Sequence, residues 1–193
     1  MGKTPLKIIG ILLAGGTGSR FGGAKLLHPL ADGVAIAAHA ARNLLAALPN
    51  VIAVVRWGDF PLYDLLEQEG CEVTMSQAAV RGMGASLAHG IGHAKAADGW
   101  VVALADMPRI SPESIRAVAA ALELGAVIAA PRYQGQRGHP VGFSAALRDE
   151  LRVLDGDSGA RKILERHAAE VRLVDCADSG VLFDIDRKAD LSI

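Results

Sequence analysis

At 193 residues, half of them apolar, the chain is long enough for one domain with a core on both sides of a sheet. A formal net charge of −1 offers no basic groove for a polynucleotide, so nucleic acid is not an expected partner. Cys71 and Cys176 stand far apart and outside any CxxC spacing, which argues against a disulfide framework or a zinc site and suits a reducing compartment.

The apolar run Ile8–Ala14 reads as a buried strand; it is too short to cross a bilayer and lacks the basic start of a signal peptide. The expectation is therefore a cytoplasmic protein with no membrane partner. A glycine-rich loop follows, to about Lys25. Ala35–Leu48 predicts a helix stopped by Pro49, Val51–Val55 a second strand, and Phe60–Glu69 a helix ended at Gly70. Glu72–Met75 predicts a third strand, Met83–Ala97 a helix, and Trp100–Leu104 a fourth strand. Ser111 and Pro112 start a helix that runs to Leu124, the serine as cap and the proline in the first turn. Val127–Ala130 is a fifth strand. Beyond Pro131 the rhythm breaks: Val141–Phe143, Val171–Val174 and Val181–Phe183 predict strands, Gly159–Ala169 a helix, and Arg187–Leu191 a short final one. Alternating helices and continuous apolar strands predict a mostly parallel sheet with helices on both faces, a three-layer α/β/α architecture in a single domain over residues 1–193.

The segment Leu13-Ala14-Gly15-Gly16-Thr17-Gly18-Ser19-Arg20-Phe21-Gly22-Gly23-Ala24-Lys25 carries the first chemical signal. Glycines let backbone N–H groups approach an anion, and Arg20 and Lys25 add two cations, which suits a polyphosphate. A P-loop requires glycine followed immediately by Lys and Ser/Thr, whereas Ala24 separates Gly23 from Lys25 and Leu26 follows. A dinucleotide fingerprint requires glycine where Phe21 stands. The second strand also leads into Arg56, not into an acidic residue for a ribose.

The run Val101–Leu104 delivers Asp106 at the carboxyl edge of a strand, where open α/β sheets bind ligands; one or two such carboxylates plus substrate phosphates suit Mg²⁺. Phe183-Asp184-Ile185-Asp186 places another pair at a strand end. Taken as a strand, the segment is expected to send the two carboxylates to opposite faces, so that one reaches the metal. Asp186 is favoured as the second ligand and Asp184 is the alternative, while a helix N-cap is the structural role open to Asp186.

Gly82-Met83-Gly84-Ala85-Ser86-Leu87 opens a helix whose small residues allow close approach to a nucleotide. A hydrolase nucleophile elbow at Ser86 requires a strand directly before it, and none is predicted there. His89 and His93 have the spacing of a helical metal pair but no third ligand, and read as satisfied or solvated histidines.

The glycine loop resembles the signature L-A-x-G-x-x-x-R-x-G-x-x-K of the MobA-like NTP transferases, which Leu13, Ala14, Gly16, Arg20, Gly22 and Lys25 fill. Ala105-Asp106-Met107-Pro108 resembles the family's metal-binding D-M-P motif, and Gly82–Leu87 the G-M-x-x-S-L of its cytidylyltransferase branch. Gly138-His139-Pro140 and Gly156-Asp157-Ser158-Gly159-Ala160-Arg161 resemble that branch's G-H-P and G-D-x-G-A-R motifs. The chain departs from the family where Ser76-Gln77 replaces an Asn-Pro and where Arg187-Lys188-Ala189 follows Asp186.

The resemblance implies a fold of the nucleotide-diphospho-sugar transferase type (GT-A-like, Rossmannoid). It also implies Mg²⁺ on Asp106 with Asp186 or Asp184, and catalysis by Arg20, Lys25 and Asp106. The nucleotide contacts would be Leu13, Ala14, Gly15, Gly16, Arg20, Lys25, Gly82 and Ser86. Arg137, His139 and Arg161 would face a phosphorylated acceptor. The implied reaction is transfer of CMP from CTP to molybdenum-loaded molybdopterin, with a molybdoenzyme as a further partner. GTP as donor, a sugar phosphate or other phospho-acceptor, and a non-catalytic carrier of molybdopterin are the alternatives.

Overall fold

In the computed structural model, residues 5–16 and 18–192 are described; Thr17 of the glycine loop lies outside them. β1 (Ile8–Ala14) alternates its side chains between two cores, Ile8, Leu12 and Ala14 packing on one face and Ile9, Ile11 and Leu13 on the other. That alternation is the period of two expected of a strand covered on both sides. The first core is closed by α1 (Ile36–Ala47), α2 (Phe60–Gln68) and α4 (Pro112–Glu123). The second is closed by α3 (Met83–His93), α5 (Arg148–Arg152) and α6 (Arg161–Arg166). This is the three-layer arrangement expected.

β1 lies between β2 (Val51–Arg56) and β4 (Gly99–Leu104), with β3 (Glu72–Ser76) beyond β2, and all these pairs are parallel. On the far side of β4, β7 (Val141–Ser144) inserts antiparallel between β4 and β5 (Ile128–Tyr133). β6 (Gln136–Arg137) turns back along β5 as a hairpin, and β8 (Val171–Asp175) pairs with β5 in parallel. The parallel strands therefore end together, and the loops after β1 and β4 emerge side by side at one edge.

Ser111 caps α4 as expected, its hydroxyl accepting the N–H of Ser114. Three sequence expectations are corrected. The third helix stops at His93, and the residues before Asp98 form a turn. The sixth helix spans only Arg161–Arg166: Gly159, with φ of +52°, is outside helical range before its start, and Ala168–Glu170 is a 3₁₀ turn after its end. Val181–Phe183 is not a strand: Ser179–Leu182 is a 3₁₀ turn whose start is held by the Asp178 carboxylate accepting the Gly180 N–H at 2.8 Å. An apolar tripeptide with a valine and a phenylalanine carries strand propensity, but a neighbouring Asp and Gly offer the backbone a competing local bond. No helix among the described residues is long and apolar enough to cross a membrane.

Candidate active site

Two parallel strands build the site from local chemistry. β1 ends at Ala14 and releases the glycine loop, and the loop's last cation, Lys25, opens a 3₁₀ turn that buries it. β4 ends at Leu104 and releases Asp106. Lys25 Nζ donates to Asp106 Oδ2 at 2.7 Å and lies 3.5 Å from Asp186 Oδ1. Arg20, at the exposed rim, donates to the other oxygen of Asp186 at 2.6 Å.

Asp184 and Asp186 both join Asp106: one carboxylate oxygen from each of the three lies within 4.8 Å of the others. This corrects the expectation that the pair points to opposite faces. A separation of two residues is one full period of extended chain, so Asp184 and Asp186 share a face and Ile185 takes the other. Ile185 is buried in the first core, and its N–H donates to the Asp106 carbonyl at 2.9 Å, which pins the segment against the end of β4. Asp186 does not cap the final turn. Asp190 accepts the N–H groups of Asp186 and Arg187 instead, leaving the Asp186 carboxylate to the two cations.

Burial, with Asp106 and Asp186 beside it, raises the Asp184 carboxyl above its ordinary pKa. Burial opposes ionisation at Asp186 as well, but the hydrogen bond from Arg20 and the field of Lys25 outweigh it and hold that carboxyl below its usual value.

A cleft of about 400 Å³ opens beside this charge cluster, walled by Gly15, Gly16, Lys25, Gly82, Ser86 and Asp106, with Leu13 and Leu104 at its base. Ser86 is buried, and its hydroxyl donates to the Gly82 carbonyl at 3.2 Å, leaving oxygen lone pairs free to accept. A Cβ on Gly15 would come within 3.0 Å of Ser86 Oγ, so the loop and the start of α3 nearly touch. Ala14 faces the first core and does not line the cleft.

Sequence reasoning missed part of the wall. Asp157, Ala79, Val80 and Met83 also line the cleft. Only Arg161 of the G-D-x-G-A-R segment is expected at a ligand, on the acceptor side, yet Gly156 and Asp157 press on the start of α3. The Gly156 carbonyl accepts the Gly84 N–H at 2.8 Å, and a Cβ on Gly82 would sit 2.2 Å from Asp157 Oδ1. Gly82 has φ of +121°, a conformation that side chains rarely adopt. The sequence signal was the pairing of two glycine-rich segments, visible only as separate motifs.

The three residues expected at the acceptor are spread out. His139 precedes a cis proline, and its N–H donates to the Val181 carbonyl at 2.9 Å. Its Nδ1 is buried with no hydrogen-bond partner among the described residues, and burial lowers its pKa, as does Arg137, against a smaller opposing pull from Asp106. Arg137 is exposed in β6 opposite Arg132. Arg161 is exposed and pairs with Glu165 one turn along its own helix, outside the cleft. His89 and His93 have partners, Thr74 at 2.8 Å and Glu72 at 3.3 Å.

Residues 10–171 match the family described as the MobA-like NTP transferase domain. The chain belongs to that family. MobA-like transferases are nucleotidyltransferases that take a nucleoside triphosphate, and Lys25 and Asp106 both lie within the matched residues. The purine catabolism protein PucB of Bacillus subtilis is 32% identical, covering 93% of this chain and 91% of the relative. The nicotine blue oxidoreductase of Paenarthrobacter nicotinovorans is 29% identical over 96% of both chains. Among solved structures, Rv0371c of Mycobacterium tuberculosis superposes with a TM-score of 0.84 at 27% identity, covering 98% of this chain and 97% of that one. The same bacterial protein has also been solved as a complex with manganese.

Proposed function

We propose that this MobA-like transferase moves CMP from CTP to a phosphate on an acceptor, molybdenum-loaded molybdopterin, and releases pyrophosphate. The observation that carries the reading is the Lys25–Asp106–Asp186 cluster at the mouth of a cleft walled by Gly15, Gly16, Gly82 and Ser86. The triphosphate lies along the glycine loop and the base against the start of α3.

Three convergent carboxylates are hard oxygen donors of the kind Mg²⁺ takes, and Asp106, Asp186 and Asp184 would hold it. When bound, the ion supplies charge neutralisation for the phosphates. The chain's own groups do the rest. Lys25 and Arg20, held by carboxylates at the cleft mouth, are positioned to take phosphate oxygens. His139 and Arg137 stand on the β5–β7 side, where the acceptor phosphate is presented, whereas Arg161 lies outside the cleft on Glu165 and is given no phosphate contact. An oxygen of the acceptor phosphate attacks the α-phosphorus, the bond to the β-phosphate bridging oxygen breaks, and pyrophosphate carries the electron pair away. No side-chain nucleophile is required, and positioning with charge stabilisation supplies the rate.

CTP is preferred because Gly82-Met83-Gly84-Ala85-Ser86-Leu87 resembles the cytidylyl branch and places Ser86 in the cleft wall. The test is anaerobic pyrophosphate release with CTP, GTP, ATP and UTP, with Mg²⁺ or Mn²⁺, and with molybdenum-loaded molybdopterin or a sugar phosphate as acceptor. CTP with molybdopterin is the expected pair. GTP as the better donor overturns the base assignment alone, and a sugar phosphate as the better acceptor overturns the acceptor. Turnover without pyrophosphate would favour a redox role such as the name of the Paenarthrobacter relative carries. In Ser86→Ala the preference for CTP should fall, since an unpaired base edge is costly in a closed pocket.

A further inference from the structure

A second cavity, about 280 Å³, lies behind the glycine loop and shares Gly16, Gly18 and Lys25 with the first cleft. Its other wall is the turn that follows β2, with Arg56, Gly58 and Asp59. Arg56 is the last residue of β2, paired with Ser76 of β3, and is half-buried. Its guanidinium has no hydrogen bond or ion pair among the described residues. That is unusual for a half-buried arginine beside a glycine loop, since desolvating a charge without a partner is unfavourable. Arg20 and Lys25, by contrast, are already matched to Asp186 and Asp106. Asp59 also lines the cavity but forms no ion pair with Arg56 among the described residues, so with Lys25 matched to Asp106 the arginine is the cation left there to take an anion. Arginine's planar fork suits phosphate oxygens in particular.

We propose that the cavity between the glycine loop and the turn after β2 is a subsite for the terminal phosphates of the triphosphate and for the pyrophosphate released, with Arg56 as its phosphate-binding residue. The subsite deepens the nucleotide reading above and rests on it for the triphosphate. Pyrophosphate alone, however, should occupy it without any nucleotide. The glycine loop then holds the polyphosphate chain from both sides, Lys25 standing where the two cavities meet.

The experiment is calorimetric binding of CTP, CMP and inorganic pyrophosphate to the wild-type chain and to Arg56→Gln, with Mg²⁺ present throughout. Losing a charge-assisted bond should weaken CTP and pyrophosphate by about 10- to 100-fold while CMP binding stays unchanged. Arg56→Lys keeps the charge without the fork and should fall between the two, and it replaces Arg56→Gln if that variant fails to fold. Equal weakening of CMP and CTP, or no change in pyrophosphate affinity, overturns the subsite while leaving the nucleotide reading in place. Wild-type binding of pyrophosphate but not of CTP, with the Arg56→Gln loss intact, supports the subsite and overturns CTP as the nucleotide. A wild-type chain that binds none of the three overturns both.

Discussion

Lys25 Nζ and Asp106 Oδ2 are 2.7 Å apart, though the two residues are separated by 81 positions, and the lysine side chain is only 10% exposed. The last charge of the loop after β1 and the first carboxylate after β4 thus neutralise each other before any substrate arrives. Asp106→Ala should lower turnover by about a thousandfold or more, since a metal ligand contributes several kcal/mol to the transition state. Lys25 keeps Asp186 as a partner, so the melting temperature should shift by no more than about 4 °C. Pyrophosphate release near the wild-type rate at saturating Mg²⁺ would remove Asp106 from the chemistry.

Arg20 lies at the exposed rim with its guanidinium on Asp186. Arg20→Ala and Lys25→Ala should each reduce turnover by roughly two orders of magnitude or more. Arg20→Lys should not restore it, because an ammonium cannot copy the fork. Full activity in Arg20→Lys would mean that a point charge suffices.

Asp186 anchors both Arg20 and Lys25, while no side chain donates a hydrogen bond to the Asp184 carboxylate among the described residues. Asp186→Ala should therefore cut activity more than Asp184→Ala, by roughly tenfold. The readout is pyrophosphate release for both variants across a Mg²⁺ titration, and a reversed order would make Asp184 the principal second ligand.

Gly82 and Gly16 separate fold from ligand approach. A methyl at Gly82 meets Asp157 and the Gly156 backbone at a φ of +121°, so Gly82→Ala should destabilise by about 2 kcal/mol or more and lower the melting temperature by roughly 4 °C or more. Gly16 has open space where its Cβ would stand, so Gly16→Ala should leave the melting temperature unchanged yet weaken CTP binding by filling the cleft wall. Differential scanning fluorimetry with and without CTP distinguishes these outcomes.

His167 bridges Glu170 at 2.7 Å and Glu150 at 2.9 Å, tying the end of α6 to α5. The hydrogen bonds to Glu170 and Glu150 raise its pKa above 6.5. A raised folded pKa means that the folded state binds the proton more tightly, so the stabilisation is complete below the unfolded value and fades as pH rises through the folded one. The melting temperature of His167→Gln should lie below wild type most clearly under pH 6 and approach it at higher pH. A gap that widens as pH rises would reverse the assignment.

The chemistry of single segments was open to reading from residues alone. Ile8–Ala14 followed by glycines, Arg20 and Lys25, and Val101–Leu104 followed by Asp106, are contiguous in the chain, and a strand that runs into a loop places both at one sheet edge wherever the strands are parallel. The two-sided core followed likewise, because strands covered on both faces must be apolar throughout. What depended on distant contacts was not readable. β7 runs antiparallel between β4 and β5, a choice made by pairing partners rather than by the four residues of Val141–Ser144. The 3₁₀ turn at Ser179–Leu182 overrides strand propensity because Asp178 captures a local N–H. A period of two returns Asp184 and Asp186 to one face from sequence alone, but their meeting with Asp106 needed the Ile185 bond to the Asp106 carbonyl, just past β4. Asp157 reached the cleft beside Lys25 and Asp106, and Arg56 the back of the glycine loop, through packing between segments far apart in the chain. Local propensity acts over a few residues, whereas a site at a sheet edge is assembled by the strand order, and that order is set by burial and hydrogen bonding across the whole fold.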